Sequence, residues 1–430
     1  MISTPPVASE AASHTRPLAL RSLLLGAAGV MIEWYDFAIY LYMAPVLGRL
    51  FVPAGDPRAQ LLMAYGIFAT GYFLRPLGAL FYGALGDRLG RKRTLITSAL
   101  LMSACKAVEA LLPTYASVGL WAPALLIIMR MASGFSMGGE YAGTFVFLLE
   151  HAPPARRGFI CSFANTMCAA GIAVCSLVVA GVNLLGPEVV AAWAWRVPFA
   201  VGALLGLVAM EMRVSMDESP RFSALLARGE VAQSPVQEAV RRVPRQIALA
   251  TVLAAWIATT YHVFVALIPS WLTAWCGVAA PDAALIASAA SLLNVLVMPW
   301  PALLGDVIGR RRLLGAAAVL IGVLALPLFW LMASGYAMAG ALLAVPLSAA
   351  VNASAATLAV ELFPTRVRFT GFAIGFNLGS IAGGVAPVLS AWLIGRSGLA
   401  AAPALLPVAA SLLALGALWA LPATRADDDA

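Results

Sequence analysis

The sequence predicts an all-α membrane protein: twelve transmembrane helices in two pseudo-repeated six-helix bundles, with both termini cytoplasmic. Three observations predict it. Only 11% of the 430 residues are charged and 62% are hydrophobic, whereas soluble domains carry roughly 25% charged residues. The apolar runs exceed the ~20 residues needed to cross a ~30 Å hydrocarbon core, and they lack the alternation of β-barrel strands. Basic residues gather in every second loop, and one glycine-rich basic loop occurs once in each half.

Residues 1–17 are polar, rich in Ser, Pro and Ala, and lack the basic start, apolar stretch and cleavage site of a signal peptide. They read as a disordered cytoplasmic tail. Spans follow at approximately 18–50, 59–85, 94–113, 118–149, 158–186, 191–212, 246–275, 282–304, 312–333, 336–361, 367–395 and 400–422. Residues 18–212 form the N-terminal bundle, and 246–422 the C-terminal bundle. Between them, 213–245 is a polar cytoplasmic linker with Pro220, Pro235 and Pro244, read as partly helical and lying at the membrane surface. Residues 423–430 are an acidic tail.

Loop charge fixes the orientation. Arg88, Arg91, Lys92 and Arg93 follow span 2, Arg156 and Arg157 follow span 4, and Arg310, Arg311 and Arg312 follow span 8. Arg366 and Arg368 follow span 10, and the linker holds further arginines, while the opposite loops have few, such as Arg58 and Arg396. The positive-inside rule puts both termini in the cytoplasm. The net charge of +7 is therefore a topology signal and not a nucleic-acid signature. Five cysteines all fall in apolar runs without a CxxC pair, which suggests neither a disulfide framework nor a metal site. Cys161, Cys168 and Cys175 read as small residues that let helices approach, with a metal or redox role as the alternative.

Gly86-Asp87-Arg88-Leu89-Gly90-Arg91-Lys92-Arg93 follows span 2, and Gly305-Asp306-Val307-Ile308-Gly309-Arg310-Arg311-Arg312 follows span 8. The glycines permit a tight turn between helices. An aspartate there can accept charge-assisted hydrogen bonds from arginines or from a helix N-terminus. Gly86, Asp87, Arg88, Gly90 and Arg91, with Asp306 and Arg310 in the second half, are thus candidates for a conformational latch. Topology-setting charge is the alternative reading.

That loop resembles the signature of the major facilitator superfamily. Within it, Glu33-Trp34-Tyr35-Asp36-Phe37, Arg75-Pro76-Leu77-Gly78, Gly134-Phe135-Ser136-Met137-Gly138-Gly139-Glu140 and Trp195-Arg196-Val197-Pro198-Phe199 resemble the metabolite:proton symporter family. The resemblance covers essentially all the spans. It implies proton-coupled uptake of a small carboxylated or zwitterionic metabolite through a bacterial inner membrane. Citrate, 2-oxoglutarate, shikimate and proline or betaine are substrates within that family, so the fold alone does not name the substrate.

Depth along each helix, at ~1.5 Å per residue, sorts the buried charges. Glu33 lies near the midplane of span 1 and Asp36 about one turn further out. Arg75 in span 2 is level with Glu33. Arg130 in span 4 is level with Asp36. An isolated charge there costs at least ~2.5–3.5 kcal/mol. Pairing Asp36 with Arg130 offsets part of that cost and couples protonation to helix rearrangement; a static ion pair is the alternative. Related proton-coupled sugar carriers have an acid and an arginine in corresponding places, so the resemblance also implies Asp36 as proton site and Arg130 as its partner. Arg75 has a planar fork that matches a substrate carboxylate, or it serves as a structural partner for Glu33 or Glu140. Glu33 reads as a pocket or structural acid, and Glu140, beside Gly138 and Gly139, as a structural or conformational one.

Two polar positions common in that family are apolar or small here, Val30 and Ser133. Span 3 instead carries Lys106 and Glu109, three apart on one helical face. Lys106 either adds a cation to the site or pairs with Glu109. His262 in span 7 either titrates near neutral pH or hydrogen-bonds substrate, or is a satisfied interior histidine. Tyr40 and Tyr261 are candidate walls of the pocket, with interface anchoring or packing as the alternative, and Asn352 and Asn377 are candidate polar contacts from the second half, or bond neighbouring helices.

No GxxxxGK[ST] loop or His-Glu-x-x-His pair occurs, and the apolar helical spans offer no strand-to-helix turn for a nucleophile elbow. The expectation is a transporter with no catalytic residues, no metal, no cofactor and no nucleic-acid partner, whose partners are a small molecule, H+ and the lipid bilayer, and which works as a monomer. The rival readings are efflux of a metabolite or siderophore-like compound on the same fold, and a ligand sensor that carries nothing.

Overall fold

The computed structural model describes residues 20–53, 55–89, 91–214, 235–364 and 367–421. Every regular element among them is helical. Among the described residues, eight helices are long and apolar enough to cross a bilayer: Trp121–Leu149, Pro154–Asn183, Pro244–Ala266, Ala280–Ile308, Arg310–Ala333, Ala337–Glu361, Arg368–Ser397 and Ala402–Trp419. Two bent pairs each serve as one further span: Gly29–Tyr42 with Ala44–Phe51, and Pro187–Ala194 with Arg196–Glu211. Pro57–Leu89 and Arg91–Leu111 occupy the remaining places of the predicted twelve. They are the spans that carry Arg75, Lys106 and Glu109, and all three side chains are buried.

Spans 1, 6 and 7 depart most from the unbroken helices expected. Span 1 breaks at Met43 and turns by 64°, with a proline, Pro45, just inside the next helix. Proline has no N–H to continue the ladder, so a helix restarts there and does not run on. Span 6 bends by 49°, after the wide π turn Val190–Ala194. Span 7 passes through a second π turn, His262–Ala266, before Pro269 and the helix Ile268–Trp275. A π turn inserts a residue and redirects the side chains beyond it.

The internal repeat is visible in the packing. Span 1 lies against span 5, span 3 against span 6, and span 2 against span 4. Six spans later, span 7 lies against 11, span 9 against 12, and span 8 against 10. The halves meet mainly through span 2 with span 11 and span 5 with span 8, a pair of contacts that the same shift interchanges.

Close backbone approach positions the first half. A Cβ on Gly134 would lie 1.9 Å from the Gly71 carbonyl oxygen, so spans 2 and 4 cross with nothing between them. That crossing brings Arg130, one turn before Gly134, to the Phe68 carbonyl, which accepts from its Nε at 3.3 Å. Tyr35 ties span 1 to span 6 by donating to the Pro198 carbonyl at 2.9 Å. In the linker, Pro235–Arg242 is a helix. Residues 215–234 and the expected tails 1–17 and 423–430 lie outside the described residues.

Candidate functional site

Glu33 and Asp36 sit three residues apart, which on a helix sets their directions about 60° apart. They face different partners. Glu33, Asp36, Glu109, Arg75, Lys106 and Arg130 are each 1% exposed or less, and they form two groups, one around each acid of span 1. Charges buried this completely persist only when paired.

Glu33 looks toward the junction of the two halves. Its Oε1 accepts from Arg75 Nη2 at 2.5 Å, and Arg75 Nε donates to Asn377 Oδ1 of span 11 at 3.2 Å. Asn377 in turn donates from Nδ2 to the Gly138 carbonyl of span 4 at 2.7 Å. Spans 1, 2 and 4 of the first half and span 11 of the second are thus joined through one guanidinium and one amide.

Asp36 looks into the first half. Its Oδ2 accepts from Arg130 Nη1 at 2.9 Å, and its Oδ1 contacts the Lys106 ammonium, which also contacts Glu109 Oε2. Tyr40 donates to Glu109 Oε1 at 2.6 Å. The guanidinium of Arg130 lies 4.4 Å from the ring centroids of both Phe37 and Tyr40, where the ring faces add cation–π attraction.

Aromatic groups close the junction beside these charges. Tyr72 in span 2 and His262 Nε2 in span 7 are 2.6 Å apart, and His262 Nδ1 is 2.7 Å from the Ala258 carbonyl. A carbonyl only accepts, so Nδ1 carries the hydrogen and Nε2 receives the Tyr72 hydroxyl. Further along, Tyr65 donates to Ser270 Oγ at 2.6 Å. At the opposite end of the molecule Asp306 of span 8 accepts from the Gly158 and Phe159 N–H groups at 3.0 and 2.9 Å. Arg310 bridges Asp306 and Glu361 at 2.8 and 2.9 Å. The charged layer is therefore enclosed from both ends.

A neutral polar face lies against span 1. The hydroxyls of Tyr42, Tyr261 and Ser291 and both amide atoms of Asn294 are buried without a hydrogen-bond partner among the described residues. Tyr42 faces Ser291, and Tyr261 faces Asn294. Trp34 packs edge-on to Tyr261 with centroids 5.0 Å apart. Sequence reasoning did not single out Tyr42 and Ser291. The available signal was weak: hydroxyl groups in apolar spans, with no depth match to a charged group.

The remaining candidates are placed as follows. Asn352 donates to the Ser348 carbonyl at 2.8 Å, and its own carbonyl accepts from Asn165 at 2.6 Å. Glu140 is buried where span 4 restarts after Gly139. Tyr40 and Lys106 are engaged inside the first half and not at the junction. Of the first-half latch candidates, Gly86 lies at the end of the helix Pro57–Leu89, while Gly90 and the side chains of Asp87, Arg88 and Arg91 lie outside the described residues.

Comparison with known proteins agrees with this geometry. The family model described as "Sugar (and other) transporter" matches residues 23–245 and 225–426. The chain is 34% identical over 391 residues to the proline/betaine transporter of Escherichia coli (strain K12), covering 88% of this chain and 78% of that one. It is 29% identical over 417 residues to the citrate-proton symporter of Salmonella typhi, covering 94% and 95%. The crystal structure of a D-xylose-proton symporter matches with a TM-score of 0.72 at 18% identity, covering 94% of this chain and 98% of that one. The fold is that of a multi-pass transporter of the major facilitator type. The chain belongs to the sugar (and other) transporter family, and its relatives are of the metabolite:proton symporter kind.

Proposed function

We propose that this protein takes up a small carboxylated or zwitterionic metabolite together with protons, by alternating access between its two halves. The observation that carries the reading is the Asp36–Arg130 ion pair, wholly buried beside a junction where Arg75 already holds a carboxylate. A substrate carboxylate takes the place of Glu33 on Arg75, since the guanidinium fork suits either. The uncharged remainder of the substrate meets Tyr42, Tyr261, Ser291 and Asn294, a buried face of hydroxyl and amide groups set opposite one another. Protonation of Asp36 removes its charge from Arg130, and the helices that carry the two are free to move apart.

In this reading the membrane is the bacterial inner membrane, where helical bundles are the spanning form. Both termini and the linker at 213–245 face the cytoplasm, the chain acts as a monomer, and no cofactor or catalytic residue takes part. The Asp306 and Arg310 contacts latch the cytoplasmic end. The test is uptake of a panel of radiolabelled carboxylates and zwitterions into proteoliposomes with an imposed pH gradient. Accumulation of one of them against its concentration, driven by acid outside, is the expected result. Extrusion on the same gradient would mean efflux, and binding without flux would mean a sensor.

A further inference from the structure

Lys106 is one of two lysines in the chain, and it is 1% exposed. Its ammonium touches Asp36 Oδ1 and Glu109 Oε2 together, and lies 4.9 Å and 5.5 Å from the ring centroids of Tyr40 and Phe199. Asp36 already has Arg130 on its other oxygen. A second cation with its own acid adds no net charge and brings a further desolvation cost. What it adds is a contact to Asp36 that can break without leaving the lysine unpaired.

We infer that Lys106 is a positioning residue of the proton step: a tethered cation that holds Asp36 unprotonated and passes wholly to Glu109 when Asp36 takes up its proton. The inference rests on Asp36 being the proton site. In the step an O–H bond forms at Asp36 Oδ1, and the Lys106 contact to that oxygen breaks. Lys106 keeps its three protons and remains on Glu109. The two carboxylates and two cations, neutral beforehand, are left with one net positive charge, that of the proton carried. Span 1 is thereby released from span 3 as well as from span 4.

The other groups that bear on Asp36 do not duplicate this role. Tyr35 and Tyr40 share its span, Cys105 lies beside Lys106, and Tyr72 of span 2 and Cys175 of span 5 are within electrostatic reach. All are neutral side chains and bring no second charge to Asp36. Arg75 is held by Glu33, Glu140 sits at the far side of the Gly138–Gly139 break, and span 6 brings Phe199.

The test is the external pH for half-maximal gradient-driven uptake in proteoliposomes, for Glu109→Gln, Lys106→Met, the double variant and Asp36→Asn. Glu109→Gln concentrates the lysine charge on Asp36, so half-maximal uptake moves about one pH unit toward acid, roughly tenfold in proton concentration. Lys106→Met removes that charge and leaves Glu109, so it moves toward alkaline by a similar amount. The double variant falls between the two. Should either single variant fail to reach the membrane, the other and the double still give the order. Equal half-maximal pH in all three, or shifts in one direction only, overturns the role given to Lys106. If Asp36→Asn still accumulates substrate, the proton-site reading fails instead, whatever the other variants do.

Discussion

Asp306, at the end of span 8, accepts the backbone N–H of Gly158, at the start of span 5, at 3.0 Å. A carboxylate on a helix N-terminus is favoured by the helix dipole, and this one joins the two halves of the molecule. Truncation as Asp306→Ala removes charge-assisted bonds worth about 1.5–3 kcal/mol, roughly tenfold or more in the ratio of closed to open at this end. Cys161, one turn into span 5, is 0% exposed and lies within electrostatic reach of Asp306. Its labelling by a membrane-permeant maleimide is expected to quicken about tenfold. An unchanged rate means that Asp306 is not a latch.

Tyr65 and Ser270 close the opposite end at 2.6 Å. Tyr65→Phe removes that bond, about 1 kcal/mol, and favours opening there while the Asp306 end stays shut. Cys161 labelling should therefore slow several-fold, the reverse of the effect of Asp306→Ala. If both variants speed labelling, the ends do not open in alternation.

Arg75 cannot hold Glu33 and a substrate carboxylate with the same face at once. Glu33→Gln is expected to lower KM, because the competing carboxylate is gone. Arg75→Gln is expected to raise KM roughly ten- to a hundredfold. It also leaves Glu33 buried without its cation, at about 3–5 kcal/mol of stability, visible as a lower Tm in detergent. The double variant should recover Tm and not KM. Recovery of both assigns Arg75 a structural role alone.

Gly134→Ala tests the crossing that sets Arg130 in place. The added Cβ would meet the Gly71 carbonyl oxygen at 1.9 Å, so spans 2 and 4 must separate. Overpacking of this kind costs about 1–3 kcal/mol, and transport should fall with the Tm. Wild-type uptake in this variant would show that the close crossing is dispensable.

Much of this layout is legible in the sequence. Rise per residue fixes depth, so residue counting alone sets Asp36 level with Arg130 and Glu33 level with Arg75, and each pair is in contact. The direction a side chain faces is less legible, since it accumulates over every kink and tilt. The 64° turn at Met43 and the π turn at His262 leave no period in the apolar pattern. The Tyr72–His262 contact is made where such a turn begins, the Tyr42–Ser291 face depends on how spans 1 and 8 are rotated against each other, and no spacing in the chain announces either. Lys106 shows the same limit. Its pairing with Glu109 follows from helical spacing, while its contact with Asp36 depends on how spans 1 and 3 are rotated against each other.

The most direct test of the account is Asp36→Asn in proteoliposomes, with an acid-outside pH gradient and counterflow measured side by side on the same preparation. Loss of gradient-driven accumulation, with exchange of labelled for unlabelled substrate retained, is the predicted result, because the asparagine neither binds the proton nor restrains Arg130 by charge. Gradient-driven accumulation equal to the unsubstituted protein would contradict it.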